Sequence, residues 1–365
     1  MQENKLPRPE NAIAAFFGTP TGFDLVAFGR GNINDTWKLT IPDNDHRSPY
    51  LLQRLNHAVF KRPDQVMANI SAIARHLVAK KYSPAILHPV ATLEGKSLFC
   101  DENGHYWRVF PFFEHTSTLD TVDHPEQAFV AAQAFGVFLE ALSDLDVTML
   151  FETILGFHDS VARLEAFQHA VEKDTAGRLS GVQAEVSLVL EESSIFHTLA
   201  GIGLPLRAVH NDAKIGNILL DEQAKSAVAV IDWDTIMPGY LLSDLGDIAR
   251  TMAASDSENE PDTARISFRM PVFQAICAGF IPPLLDILTP VEKATLHLAP
   301  RWIILEQAMR FLGDYLAGDV YYKTNHPLHN IERARNQIAL YQSVQKQEAA
   351  LRATVERYIK GVSQP

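Results

Sequence analysis

Cysteine is almost missing from this 365-residue chain: only Cys100 and Cys277 occur, far apart in sequence. That excludes a disulfide framework and a cysteine-built zinc site, and it fits a reducing, cytoplasmic setting. Basic residues are also short, 32 Lys and Arg against 44 Asp and Glu, with no long basic run. No nucleic acid is expected as a partner. No apolar run is both long and unbroken. The most apolar stretch, residues 271–290, contains Gln274, Asp286 and the pair Pro282 and Pro283, so it reads as a broken buried helix and no membrane partner is expected. The polar, proline-bearing first ten residues lack the apolar stretch of a signal peptide.

Several catalytic signatures are lacking too. There is no Gly-x-Ser-x-Gly hydrolase elbow and no His-Glu-x-x-His zinc helix, and Gly95-Lys96-Ser97 matches only the end of a phosphate-binding P-loop, before a strand and not a helix. What is present is an ordinary globular composition, 47% hydrophobic, in a chain long enough for two lobes.

Residues 24–29, 33–41 and 50–54 read as three strands after a short helix near residues 11–17. A helix over 63–80 follows, with Val66, Met67, Ile70, Ile73, Ala74 and Leu77 at helical spacing, and then strands at 97–100 and 105–110. This order predicts a small antiparallel lobe. From His124 the pattern is mainly helical, starting with a helix over 125–142 that Asp123 could cap. Two helices are expected before Leu204, a β-rich insert over 206–233, and helices from Leu241 to the end. The acidic stretch 256–262 reads as a mobile loop, and 331–359 as one charged surface helix.

The most informative stretch is Val209-His210-Asn211-Asp212-Ala213-Lys214-Ile215-Gly216-Asn217, a polar loop between apolar strands with the form His-x-Asp-x-x-x-x-Asn. Phosphoryl transfer needs a carboxylate to receive the attacking hydroxyl's proton and a neutral oxygen near Mg²⁺. Asp212 and Asn217 supply those chemistries. Asp and Asn also serve turns for purely structural reasons, so the loop alone leaves both readings open. The apolar strand 228–231, ending in Asp232-Trp233-Asp234, decides between them. A carboxylate at a buried strand end needs a cation or hydrogen-bond donors, and Asp232 stands where a DFG aspartate holds Mg²⁺ in protein kinases.

With these motifs in order, the chain resembles the aminoglycoside phosphotransferase and choline kinase superfamily over nearly its whole length. Three segments are more specifically similar to N-acetylhexosamine 1-kinases: Gly29-Arg30-Gly31-Asn32-Ile33-Asn34-Asp35-Thr36-Trp37, residues 52–60 and residues 309–323; Met237-Pro238-Gly239 and Gly246-Asp247 agree. The resemblance implies an α+β, bilobal protein-kinase-like fold, with a nucleotide-binding lobe at 1–113 and a catalytic, substrate-binding lobe at 114–365. It further implies ATP and Mg²⁺ as cofactors and transfer to the anomeric hydroxyl of an N-acetylated hexosamine. The alternatives are a same-fold kinase for another sugar, homoserine, choline or an aminoglycoside, or an inactive nucleotide sensor.

The resemblance also yields expected roles for individual residues. Asp212 is the base, and Asn217 and Asp232 hold the metal. The turn with Gly29, Gly31, Asn32, Asn34 and Thr36 covers the phosphates, and Phe112 and Phe113 lie at the adenine hinge. The third strand has Gln53 and Arg54 near the position of the usual phosphate-binding lysine, and the helix after it has no Glu. Arg54 is the expected phosphate contact. Arg310, Asp319 and Tyr321 are expected beside the sugar, and Asp244 is expected to hydrogen-bond the catalytic-loop backbone.

Overall fold

The computed structural model describes residues 9–20, 22–29, 33–42, 49–223 and 225–361. Helix α1 (Pro9–Phe17) is followed by β1 (Asp24–Ala27), β2 (Asp35–Thr40), β3 (Tyr50–Leu55), α2 (Pro63–Ala79), β4 (Phe99–Cys100) and β5 (Tyr106–Pro111). The strands form one antiparallel sheet in the order β1-β2-β3-β5-β4. Alternation divides its faces. Trp37, Leu39, Leu52, Trp107 and Val109 bury one face against Ala12, Ile13 and Phe16 of α1. Thr36, Lys38, Gln53 and Arg108, one step out of phase, occupy the other, since Thr36 pairs with Gln53 and Gln53 with Arg108.

The larger lobe holds β6 (Thr116–Ser117), α3 (Pro125–Ala141), α4 (Ser160–Lys173), α5 (Gln183–Glu192), α6 (Ser194–Gly201), β7 (Arg207–Val209), β8 (Ile218–Asp221), β9 (Ala227–Val230) and β10 (Met237–Gly239). Helices α7 (Leu241–Met252), α8 (Met270–Leu284), α9 (Pro290–Thr295), α10 (Ala299–Ala317), α11 (His329–Gln345) and α12 (Glu348–Ile359) complete it. The protein thus has the expected α+β fold, a small antiparallel lobe and a larger helical one. No helix among the described residues is long and apolar enough to cross a membrane.

Two glycines explain how tightly the site is assembled. A Cβ on Gly246 would strike Ile303 and the Ala299 carbonyl, so only glycine lets α7 lie this close to α10. A Cβ on Gly239 would meet Val209 Cγ2 at 2.6 Å, where β10 pairs with β7 beneath the catalytic loop.

Several local expectations change. Three helices, α4 to α6, stand where two were expected before Leu204. The N-cap of α3 is His124 and not Asp123, and Gln127 Oε1 accepts from both backbone N–H groups at 2.9 and 3.3 Å. Residues 331–359 form two helices because Gln347 leaves the helical path and its Nε2 bonds to the Phe268 and Ser343 carbonyls, both at 3.1 Å. The acidic stretch is tied down: Asn336 Nδ2 donates to the Ser257 and Glu260 carbonyls, and Arg333 Nε to Asn259 Oδ1 at 2.8 Å. Polar partners 70 and more residues away along the chain determine its conformation.

Candidate active site

The His-x-Asp loop leaves β7 and returns through β8. Asn211 takes a left-handed conformation, φ 61°, which Asn tolerates better than most residues. Asp244, on the first turn of α7, accepts the N–H groups of His210 and Asn211, each at 2.7 Å. That is the role expected of it, and burial raises its carboxyl to about 6. His210 Nε2 lies 2.9 Å from the Ile231 carbonyl, joining the loop to the end of β9.

Asp212 is met by Lys214 Nζ at 2.7 Å and Asn217 Nδ2 at 3.1 Å. Burial pushes its carboxyl up, but Lys214, then His210 and Asn217, outweigh it and keep Asp212 below the usual carboxylate range. It is an ionised acceptor at neutral pH. Because Asn217 Nδ2 also donates to the Asp212 carbonyl at 2.8 Å, its Oδ1 is the atom left to face a cation.

Asp232 is in left-handed backbone, φ 62°, at the end of β9. Its side chain opens to the cleft, yet protein surrounds it closely enough that burial, then Asp234 and Asp212, raise its carboxyl to about 7. Among the described residues no group of three or more His, Cys, Asp or Glu could hold a metal by itself. Asn217 and Asp232 are hard oxygen donors of the kind Mg²⁺ takes in small number, with phosphates and water completing its shell.

Asp234 makes the strongest connection between the lobes. Arg108 on β5 reaches it with Nη1 at 2.5 Å and Nη2 at 2.9 Å, both side chains being 3% exposed. Gln53 Oε1 accepts from Arg108 Nε at 2.9 Å, and Gln53 Nε2 donates to Thr36 Oγ1 at 3.1 Å. Asn34 Nδ2 donates to Asp234 Oδ2 at 2.8 Å, while its Oδ1 accepts the Asn56 N–H at 3.0 Å. A continuous polar chain therefore runs from the glycine turn through β3 and β5 to the residue two past Asp232.

This geometry corrects the choice between Gln53 and Arg54. Arg54 pairs with Asp35 at 2.5 Å and lies on the sheet face that packs against α1. Gln53 faces the cleft. Gly29 has φ +79°, and the Phe28 N–H closes the hairpin on the Thr36 carbonyl at 2.9 Å. Gly31 and Asn32 lie outside the described residues. After β5, Phe112 packs edge-on against Phe28 at 5.0 Å under Lys38 Nζ, and its N–H bonds to the Pro49 carbonyl at 3.0 Å. Phe113 is half-buried against the main core.

On the acceptor side, Arg310 of α10 lies among Phe157, Tyr322 and Tyr321, with Cζ 5.2, 5.7 and 5.9 Å from their ring centroids. Tyr321 is 60% exposed. Asp319 does not present a free carboxylate: it bonds to Arg178 at 2.6 Å and to Asn330 at 2.9 Å, which makes it a brace of the loop, a correction to its expected sugar contact. Asp314 holds the same loop by accepting the N–H groups of Val320, Tyr321 and Tyr322 at 2.8–2.9 Å.

His158 links this side to the catalytic loop. Its Nδ1 is 2.8 Å from Glu306 Oε1 and its Nε2 3.2 Å from the Asn211 carbonyl. Both partners only accept, so satisfying both requires an imidazolium. Burial pulls His158 down, but Glu306 prevails and holds it above 6.5; burial pushes Glu306 up, but His158 and Arg310 hold it below 4.5. The histidine's contribution to stability is present below 6.5 and lost as pH rises through its raised value. The glutamate's is present above 4.5 and lost as pH falls through its lowered value. Melting temperatures measured from pH 6 upward should therefore fall more steeply for the wild type than for Glu306→Gln. Parallel curves would contradict the pair.

Over residues 24–273 the sequence matches the family model described as the phosphotransferase enzyme family, APH. The chain belongs to that family. This phosphotransferase is also similar in fold to an aminoglycoside phosphotransferase from Alicyclobacillus acidocaldarius, at 14% identity and TM-score 0.63 over 98% of this chain and 99% of the other. Spectinomycin phosphotransferase, solved with ADP and spectinomycin, aligns at 15% identity and TM-score 0.59 over 94% and 97%. A microcompartment-associated aminopropanol kinase aligns at 12% identity and TM-score 0.56 over 94% and 97%.

Some site residues of this phosphotransferase escaped sequence reasoning. Lys214 and Asp234 stand inside the two motifs, but local spacing does not show which carboxylate each one meets or faces. Arg108 had a signal, an arginine in an otherwise apolar strand ending. His158 and Glu306 had none, being 148 residues apart.

Proposed function

We propose that this phosphotransferase moves the γ-phosphoryl group of ATP to the anomeric hydroxyl of an N-acetylhexosamine, N-acetylglucosamine or N-acetylgalactosamine, giving the sugar 1-phosphate and ADP. The observation that carries the chemistry is the ionised Asp212 carboxylate beside Lys214 and Asn217, with Asp232 at the end of the neighbouring strand β9. The acceptor choice rests on the sequence segments 29–37, 52–60 and 309–323 and on the donors and rings of Arg310 and Tyr321. The lobes divide near residues 113 and 114, the adenine lies at the Phe112–Phe113 hinge, and the glycine turn, Asn34 and Thr36 close over the phosphates.

Asp212 accepts a hydrogen bond from the anomeric hydroxyl and orients its oxygen toward the γ-phosphorus. As the new O–P bond forms, the bond to the β,γ-bridging oxygen breaks, ADP leaves and the proton passes late to Asp212. An anomeric hydroxyl is more acidic than other sugar hydroxyls, so a weak base suffices. Lys214 keeps Asp212 charged and adds positive charge beside the transferred group. Mg²⁺ held by Asn217 and Asp232 would neutralise phosphate charge.

Phosphorus NMR of products from an acceptor panel tests the assignment. A 1-phosphate of an N-acetylhexosamine is expected, and Arg310→Ala should raise the sugar KM much more than the ATP KM. A 6-phosphate, or turnover only with choline, homoserine or an aminoglycoside, would defeat the acceptor assignment while leaving the phosphotransferase intact.

A further inference from the structure

Arg163 of α4 and Arg310 of α10 approach the same aromatic ring, with Cζ atoms 6.0 and 5.2 Å from the Phe157 centroid. Both donate to neutral oxygens: Arg163 Nε to the Phe157 carbonyl at 2.7 Å, and Arg310 Nη1 to Gln307 Oε1 at 3.4 Å. Among the described residues neither has a carboxylate within ion-pair distance. Arg108, Arg178, Arg207, Arg250 and Arg301, also withdrawn from solvent, each hold one.

Glu306, whose charge acts on both guanidiniums, is already used. Its Oε1 takes the His158 imidazolium at 2.8 Å and its Oε2 takes the Ser160 hydroxyl. His158 is shared by Glu306, Asp244 and Asp247, whose carboxylates all act on it, which leaves the two guanidiniums without a carboxylate of their own among the described residues. Like charges in a partly dehydrated site repel strongly. Burial, and then Arg310, pull the Arg163 guanidinium below its ordinary range. The cluster is also next to the chemistry, because His158 Nε2 bonds to the carbonyl of Asn211, the residue before Asp212.

We propose that Arg163 and Arg310 form a subsite for an anionic substituent on the acceptor, making an acidic hexosamine derivative the preferred substrate over the neutral sugar. The preference for a hexosamine rests on the acceptor reading above; the anion subsite itself does not. A carboxylate or a phosphate monoester matches the guanidinium forks and supplies the anionic partner that both lack. Tyr321, exposed at the rim, leaves the ring of such a ligand an aromatic face.

The experiment compares N-acetylglucosamine with its 6-phosphate and its 6-carboxylate (uronate) analogue, by ADP release with Mg-ATP, in the wild type and in Arg163→Gln. At least one acid should exceed the neutral sugar in kcat/KM by about tenfold or more, the scale of charge-assisted hydrogen bonds, and Arg163→Gln should lower that ratio by a similar factor. A neutral sugar that is used equally well or better, or a ratio the variant leaves unchanged, overturns the subsite. Arg163→Lys, which keeps the charge and loses the fork, replaces the Gln variant if that one does not fold. If none of the three sugars is turned over, the hexosamine reading fails and inorganic phosphate decides the subsite. Titrated at constant ionic strength, it should raise the wild-type melting temperature more than the variant's; equal shifts, or none, overturn the proposal.

Discussion

Asp212→Asn should fold, bind nucleotide and lose at least about a hundredfold in kcat, the lower end of what a positioned general base contributes. The substitution keeps side-chain size, and the bond that orders the loop runs from Asn217 to the Asp212 carbonyl, a backbone atom. Asp244 still holds the two preceding N–H groups. What disappears is the negative charge that the proposed mechanism uses to accept the hydroxyl proton and that anchors Lys214 at 2.7 Å. Steady-state rates with ATP and acceptor varied separately distinguish the two losses: a fall in kcat reports the base, and a rise in ATP KM reports a displaced Lys214. Near-normal turnover in the folded variant would remove Asp212 from the reaction.

Arg108→Met should be the most damaging single change to stability. It leaves the Asp234 carboxylate, 3% exposed, without its bidentate partner, and breaking a buried ion pair from one side costs about 3–5 kcal/mol. Asn34 alone cannot neutralise that charge. The double variant Arg108→Met with Asp234→Leu removes both charges, and such replacements are often neutral or stabilising. Denaturant unfolding should therefore show most of the lost stability restored. Nucleotide affinity should stay weak, because Asn34 has lost the Asp234 oxygen that ties the glycine turn to the metal strand. Recovery of both stability and affinity would reduce the pair to a structural bridge.

The site was legible in unequal parts. The loop from His210 to Asn217 and the strand ending in Asp232 could be read directly, because each is a short segment in which function and local structure require the same residue types at fixed spacing. The third strand was misread at Arg54 for a reason that concerns period, not composition. Adjacent strand residues point to opposite faces, and only the pairing of Gln53 with Thr36 and Arg108 shows which face meets the cleft. Asp319 was misread differently: its chemistry suits a sugar, but Arg178 and Asn330, distant in sequence, already use it. The family match ends at residue 273, before Arg310, Asp319 and Tyr321, so the proposed acceptor side rests on the resemblance of residues 309–323 and on this chain's own geometry.

By itself the sequence determined the order of strands and helices in the small lobe, the phosphotransferase motifs and the absence of a β3 lysine, since these depend on residues close together along the chain. Only the tertiary structure decided which charges meet. Arg108 and Asp234 are 126 residues apart, and His158 and Glu306 are 148. Ion pairing is a matter of a few ångströms, and no local periodicity encodes it. That Arg163 and Arg310 lack an ion-pair partner among the described residues is likewise a property of the packed molecule, because a missing partner can be recognised only once the neighbouring carboxylates have been located.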